Sequence, residues 1–254
     1  MGAGHGHQLY RQGDSPVHRL PPYVKLVATF AFVVAVVATP RAAFWAFGVH
    51  AALLLLAIRA AGLRAGTVAR RMVVELPFVA FAVILPFVAT GPRVDVAGLS
   101  LSEPGLLGAW NIMAKGTLGV VATIVLSATT ELRSLVASLQ RLHVPQMLVQ
   151  IMTFMIRYAD VVGDEMRRMH VARQSRGFAP RDVRHLKVVA RSAGALFIRA
   201  FERGERVYLA MVSRGYTGSL PVLDATRATS AEWATAAALP VAASCVAVAA
   251  WVTL

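Results

Sequence analysis

Five windows of the chain, 23–39, 42–60, 72–90, 106–128 and 233–254, run for 17 to 23 residues with no more than one charged residue in each. A helix needs about 20 apolar residues to cross the hydrocarbon core, and a backbone in lipid must satisfy its own hydrogen bonds. The pattern therefore predicts an all-α polytopic membrane protein with about five transmembrane helices. Only Pro40 and Arg41 separate the first two windows, which predicts a helical hairpin. Pro77 and Pro86 fall in the third and predict kinks. A chain 57% hydrophobic and only 15% charged agrees with this class. A single cysteine, Cys245, excludes an intramolecular disulfide and a cysteine-based zinc or iron-sulfur site.

The charged residues divide the rest. Four parts are expected: a polar cytoplasmic N-terminus (1–22), transmembrane helices one to four (23–128), cytoplasmic amphipathic helices (129–227) and a C-terminal transmembrane helix (228–254). The N-terminus is Gly- and His-rich and has no short apolar run before a small-residue cleavage site, so the first window is expected to stay in the mature protein. Arg59, Arg64, Arg70 and Arg71 gather between windows two and three, whereas Arg93 faces Asp95 and Glu103 between three and four. The positive-inside bias puts the first loop, the N-terminus and 131–227 on the cytoplasmic face of the inner membrane. That last segment holds 16 of the 26 Lys and Arg against 8 of the 13 acidic residues. A net charge of +13 could suit nucleic acid, but the basic residues lack the interleaved aromatics of a stacking surface, so no nucleic acid partner is expected.

Residues 147–162 tempt a sixth span, yet they are interrupted by Gln150, Arg157 and Asp160. Each charge at mid-bilayer costs roughly 2.5 to 3.5 kcal/mol on insertion scales, so the segment is expected to be a helix at the inner membrane face. Helices are expected over 130–142, 145–176 and 180–214. On the last, Leu186, Ala190, Ala193, Phe197, Ala200, Gly204, Val207 and Met211 form one stripe in steps of four and three. Its small residues would let another helix approach, so this stripe is expected to be a helix crossing and partner interface. The opposite side carries Lys187, Arg191, Arg199, Glu202, Arg203, Glu205 and Arg206, with Glu202 and Arg206 spaced for an i,i+4 pair.

A short phrase occurs twice. Ser175-Arg176-Gly177-Phe178 ends the second of these helices and Ser213-Arg214-Gly215-Tyr216 the third. Glycine supplies a left-handed cap, and the preceding arginine projects from the last turn beside exposed carbonyls. A basic residue before glycine is also how many helices simply end. Two copies in the same order, at the ends of adjacent long helices, favour paired knobs, because a guanidinium on a helix tip can make a bidentate bond in a pocket.

With these features the chain resembles the T component of energy-coupling-factor (ECF) transporters, and within it the cobalt-type, CbiQ-like branch. The resemblance rests on Ser15-Pro16-Val17-His18-Arg19-Leu20-Pro21-Pro22 with Lys25-Leu26, on Arg157-Tyr158 and on Asp164-Glu165-Met166-Arg167-Arg168-Met169. It continues through Arg191-Ser192-Ala193-Gly194-Ala195-Leu196-Phe197-Ile198-Arg199, Glu202-Arg203-Gly204-Glu205-Arg206-Val207, Ala210-Met211 and both tips. It implies a non-catalytic coupling subunit of an ATP-driven importer for cobalt or nickel. Its implied partners are two cytosolic ABC-type ATPases, which bind ATP and Mg, and a membrane substrate-binding subunit. Arg176 and Arg214 would be the coupling arginines and Gly177 and Gly215 the caps that aim them. Ser175 and Ser213 stand where that family often has alanine.

No cofactor or metal is expected on this chain itself. His5 and His7 have no carboxylate or thiol partner in sequence, and His18, His50, His143, His170 and His185 show no pairing that would gather ligands. Glu75 and Lys115 lie in or near spans, with structural roles expected for both: an interfacial ion pair for the first, snorkelling or bundle packing for the second. No G-x-x-x-x-G-K-[ST], H-E-x-x-H or G-x-S-x-G occurs, so catalysis gains no support. The alternatives are a coupling subunit for a vitamin such as biotin, or an integral-membrane enzyme acting at the inner face.

Overall fold

Apolar stretches bounded by proline and glycine fold into ten helices among the described residues. The structure is a computed structural model and describes residues 10–96, 99–178, 186–218 and 228–253. The helices are α1 (Pro16–Arg19), α2 (Pro22–Ala38), α3 (Phe44–Ala60), α4 (Ala65–Arg71), α5 (Leu76–Val88), α6 (Glu103–Thr129), α7 (Leu132–Arg141), α8 (Gln146–Ser175), α9 (Leu186–Val212) and α10 (Ser230–Val252). Met72–Glu75 is a 3₁₀ turn, and Arg93–Val96 (β1) pairs antiparallel with Leu99–Ser102 (β2). His5, His7, His185 and the helix start expected at Pro180 lie outside the described residues. The fold is that of an all-α polytopic membrane protein. Ala65–Val88, Glu103–Thr129 and Ser230–Val252 are long and apolar enough to cross a membrane, and α2 and α3 are apolar helices of 17 residues. Seventeen residues rise about 26 Å, slightly less than the hydrocarbon thickness.

The chain divides into two compact units, one within 9–138 and 226–254, the other within 139–225. In the first, α2 packs on α10 and α6, α3 on α10 and α6, and α5 on α6. Phe32, Val36, Phe47, Leu54, Leu118, Val121, Val125 and Ala243 form its core. Alanines at 43, 46 and 250 make a second, close contact, the packing expected where no hydrophobic drive operates between helices. Large apolar side chains such as Phe30, Phe44, Phe78, Phe81, Phe87 and Trp251 face outward, which in lipid carries no penalty.

Polar groups inside this unit serve the helix ends. The last carbonyls of a helix have no partner within it, and in lipid water is not there to supply one. Lys115 Nζ donates to Val37 O at 2.7 Å and Trp251 Nε1 to Ala38 O at 2.9 Å, so α6 and α10 both close the C-terminus of α2. Lys115 thus packs in the bundle. Thr39 Oγ1 donates to Ala35 O at 2.9 Å and lies 3.0 Å from His50 Nε2, which is fully buried against Phe32 and Phe47. Glu75, expected near the interface, is only 3% exposed and accepts from Thr117 Oγ1.

The third span departs from the sequence expectation of a kinked helix over 72–90. It begins at Ala65, and the 3₁₀ turn joins α4 to α5 just before Pro77. Proline lacks the N–H that would continue the helical ladder to residue 73, and the tighter turn takes up the break. Pro86 sits in the last turn of α5 without ending it. There α5 presses on α6: a Cβ on Gly105 would lie 2.8 Å from Pro86 Cα, and one on Gly108 2.9 Å from Leu85 Cδ2. The hairpin β1–β2 follows, which hydropathy did not signal. Helix α10 starts three residues before the expected 233, because Thr229 and Glu232 form a capping box: Glu232 N donates to Thr229 Oγ1 and Thr229 N to Glu232 Oε2.

Candidate functional site: two arginine tips on a helix pair

The unit 139–225 is built on α8 and α9. Helix α8 is 30 residues long and, among the described residues, is not one of the helices apolar enough to cross a membrane. Arg157 and Asp160, the residues that argue against a sixth span, are both exposed.

Both helices end in the same chemistry. At the end of α8, Gly177 takes φ +74°, Gly177 N donates to Gln174 O at 2.9 Å, and Phe178 N donates to Arg173 O at 3.1 Å. At the end of α9, Gly215 takes φ +83°, Gly215 N donates to Val212 O and Tyr216 N to Met211 O, each at 3.0 Å. These are two Schellman motifs, each satisfying carbonyls of the final turn. Ser175 Oγ donates to Ala172 O and Ser213 Oγ to Ala210 O, both at 3.1 Å. The two hydroxyls are therefore turned back onto their own helices. Arg176 and Arg214, with their neighbouring serines and glycines, are exposed, and neither guanidinium has an ion-pair partner among the described residues.

The Arg214 tip is also held from outside its own helix. Tyr216 Oη donates to Gln150 Oε1 at 2.7 Å, and Gln150 Nε2 donates to Gly218 O at 2.7 Å, so the Arg214 tip is tied to the first turns of α8. From Gln150 to Arg176 the axis of α8 rises about 39 Å. The two arginines therefore stand at opposite ends of the helix pair, too far apart to enter one pocket.

Between α8 and α9 lies a cavity of 550 Å³, whose lining includes Phe154, Tyr158, Ala200, Gly204, Val207 and Met211. These four α9 residues belong to the stripe read from sequence. Its N-terminal half differs: Ala190, Ala193 and Phe197 are exposed, Phe197 at 71%, and Leu196 is the buried neighbour. Nor do the helices close on Gly204, where an added Cβ would meet open space.

Glu165 accounts for the rotated face. It accepts from Arg199 Nη1 at 3.0 Å and Arg203 Nη2 at 3.3 Å, so two arginines expected on the outer side of α9 point at α8. The hydrogen bond from Arg199 holds the Glu165 carboxyl below the usual carboxylate range, with the charge and hydrogen bond of Arg203 acting the same way and desolvation opposing them. The i,i+4 pair expected between Glu202 and Arg206 is not among the ion pairs of the described residues. The sequence clue to Glu165 was two arginines four apart on one face; their partner lies 34 and 38 residues away. No cluster of three metal-ligating side chains occurs among the described residues.

Comparison with known proteins adds a second line. A family model described as cobalt transport protein, CbiQ, matches residues 13–223. The ECF transporter transmembrane protein EcfT of Limosilactobacillus fermentum is 29% identical over 239 residues, covering 87% of this chain and 86% of that one. The cobalt transport protein CbiQ of Rhodobacter capsulatus is 28% identical over 165 residues, 62% of this chain and 67% of that one. Two uncharacterised proteins of Methanocaldococcus jannaschii are 34% and 27% identical over stretches that span 40% and 55% of their own lengths, so the chain matches about half of each.

Proposed function

The chain belongs to the CbiQ family of cobalt transport proteins, and from that premise we propose that it is the transmembrane coupling subunit of an ECF-type importer for cobalt or nickel. Its N-terminus and the α8–α9 pair face the cytoplasm, an orientation supported by the concentration of arginine around 59–71 and 131–227. Two cytosolic ATPases carry the ATP and Mg, and each receives one tip. The chain performs no catalysis of its own. It passes ATPase closure through the α8–α9 pair to a membrane subunit that holds the substrate.

The observation that carries this reading is the pair of tips. Two exposed arginines on identical glycine-capped helix ends, about 39 Å apart along α8, suit two equivalent receptors. The exposed apolar side chains of the pair, among them Met147, Met155, Phe197, Phe201 and Leu209, suit a membrane partner packed on the same helices. Removing one partner from a desolvated charge pair costs about 2 to 5 kcal/mol, roughly thirty-fold to several thousand-fold in Kd. The Arg176→Ala, Arg214→Ala double variant is therefore expected to lose ATPase co-purification and metal uptake while still reaching the membrane. Wild-type ATPase association in that variant would refute the coupling role. Uptake of 57Co or 63Ni, with and without competing vitamin, tests the substrate.

A further inference from the structure

Besides the helix pair, the membrane unit carries an open apolar cavity of 370 Å³ at the end of the bundle where α2 and α10 begin and α3 and α6 finish. Its walls are side chains such as Ala28, Leu56, Val125, Ala236 and Leu239. One charged residue lines it, Lys25, in the first turn of α2, and it is 6% exposed.

Among the described residues, the surroundings of Lys25 lack an anion. Its Nζ donates to Thr129 O, the last carbonyl of α6, at 2.9 Å. A helix C-terminus presents about half a negative charge, so this contact offsets part of one positive charge and uses one of three N–H donors. No carboxylate lies within ion-pair distance of Lys25 among the described residues. The ammonium also sits at the N-terminus of α2, the helix end that repels a cation, and that turn has neither an acidic residue nor a side-chain cap. A buried ammonium half-compensated in this way calls for a counter-ion, and the space beside it is apolar.

We propose that this cavity is a site for an anionic phospholipid, with one acyl chain in the apolar groove and the headgroup phosphate on Lys25. The molecule that fits is amphiphilic: a free anion would leave the groove empty, and a zwitterionic lipid would bring its own cation to the ammonium. The bilayer supplies such a lipid laterally through the open side of the cavity. Its bound form would tie α2, α6 and α10 together at one end of the bundle, the end opposite to Lys115 and Trp251.

Native mass spectrometry of the full-length chain, released from nonionic detergent, reads the site directly. The probes are phosphatidylglycerol and phosphatidylcholine with the same acyl chains. The wild type is expected to retain one phosphatidylglycerol at about tenfold lower lipid concentration than phosphatidylcholine, the worth of one charge-assisted contact. Lys25→Met should lose that preference and Lys25→Arg keep it. Ala60→Trp, a substitution at an exposed lining residue, should block both lipids and guards against failure of Lys25→Met to fold. Equal retention of the two lipids by the wild type, an undiminished preference in Lys25→Met, or unchanged retention in Ala60→Trp would each overturn the site. Displacement of the lipid by millimolar inorganic phosphate would overturn the need for an acyl chain.

Discussion

Gly215 offers a substitution whose effect can be worked from geometry. Its φ is +83°, and an added Cβ would meet no atom within 4 Å. Among the described residues nothing crowds that Cβ, so the cost of Gly215→Ala is conformational. A left-handed L-residue costs roughly 1 to 2 kcal/mol, a factor of about five to thirty in the population of the intact cap. Asparagine tolerates this region better, so Gly215→Asn should recover much of the loss. Two assays read the effect. Hydrogen exchange at the Tyr216 amide, which donates to Met211 O, should be slowest in the wild type, faster in Gly215→Asn and fastest in Gly215→Ala. On the coupling role proposed above, binding of an ATPase partner should weaken in the same order. Gly177→Ala, at φ +74°, should respond in the same direction, because its cap makes the same pair of bonds to the last turn of α8. If Gly215→Asn were as damaging to binding as Gly215→Ala while the amide stayed protected, the glycine would serve close approach of the partner. Protection unchanged in Gly215→Ala would refute the cap argument itself.

Three other outcomes are expected. The folded-state pKa of Glu165 is lowered by Arg199 and Arg203, so its contribution to the α8–α9 pair is complete above the unfolded carboxylate value of about 4.3 and disappears as pH falls through the lower folded value; thermal unfolding followed from pH 6 to pH 3 should show this loss in the wild type and not in Glu165→Gln. Gly105→Ala would bring a Cβ within 2.8 Å of the Pro86 backbone and should cost about 1 to 3 kcal/mol by overpacking α5 on α6, whereas Gly194→Ala, in the open middle of α9, should stabilise by roughly 0.5 to 1 kcal/mol, both measured as shifts in Tm.

Local chemistry is legible in this sequence and distant partnership is not. The apolar windows foretell α2, α3, α6 and α10 because hydropathy over 17 or more residues is a sum of many small terms. The ends of α8 and α9 at Gly177 and Gly215 are legible because a left-handed cap favours glycine whatever surrounds it. The third span begins at Ala65 and not at 72, because the segment with Arg70 and Arg71 is helical although it falls outside the apolar window, and Pro77 only tightens the ladder behind it into the 3₁₀ turn. On α9 the stripe fails between Leu196 and Phe197, residues about 100° apart on a helix. What decides between them is Glu165 on another helix, which draws Arg199 and Arg203 inward. A polar pair reoriented an apolar face, and no periodicity in one helix encodes that.

Glu165 has a mechanical consequence through its place along α8. It lies about 22 Å of helix rise from Gln150 and about 17 Å from Arg176, near the middle of the rod. Equal and opposite pushes on a rod pinned near its centre form a couple, which turns the rod and hardly displaces it. Forces arriving at the two tips would thus be spent on torque, and the arms are nearly matched, so neither end gains leverage over the other. A charge pair also suits the pin: two guanidinium groups on flexible stems can follow one carboxylate through a turn that interlocked apolar side chains would resist.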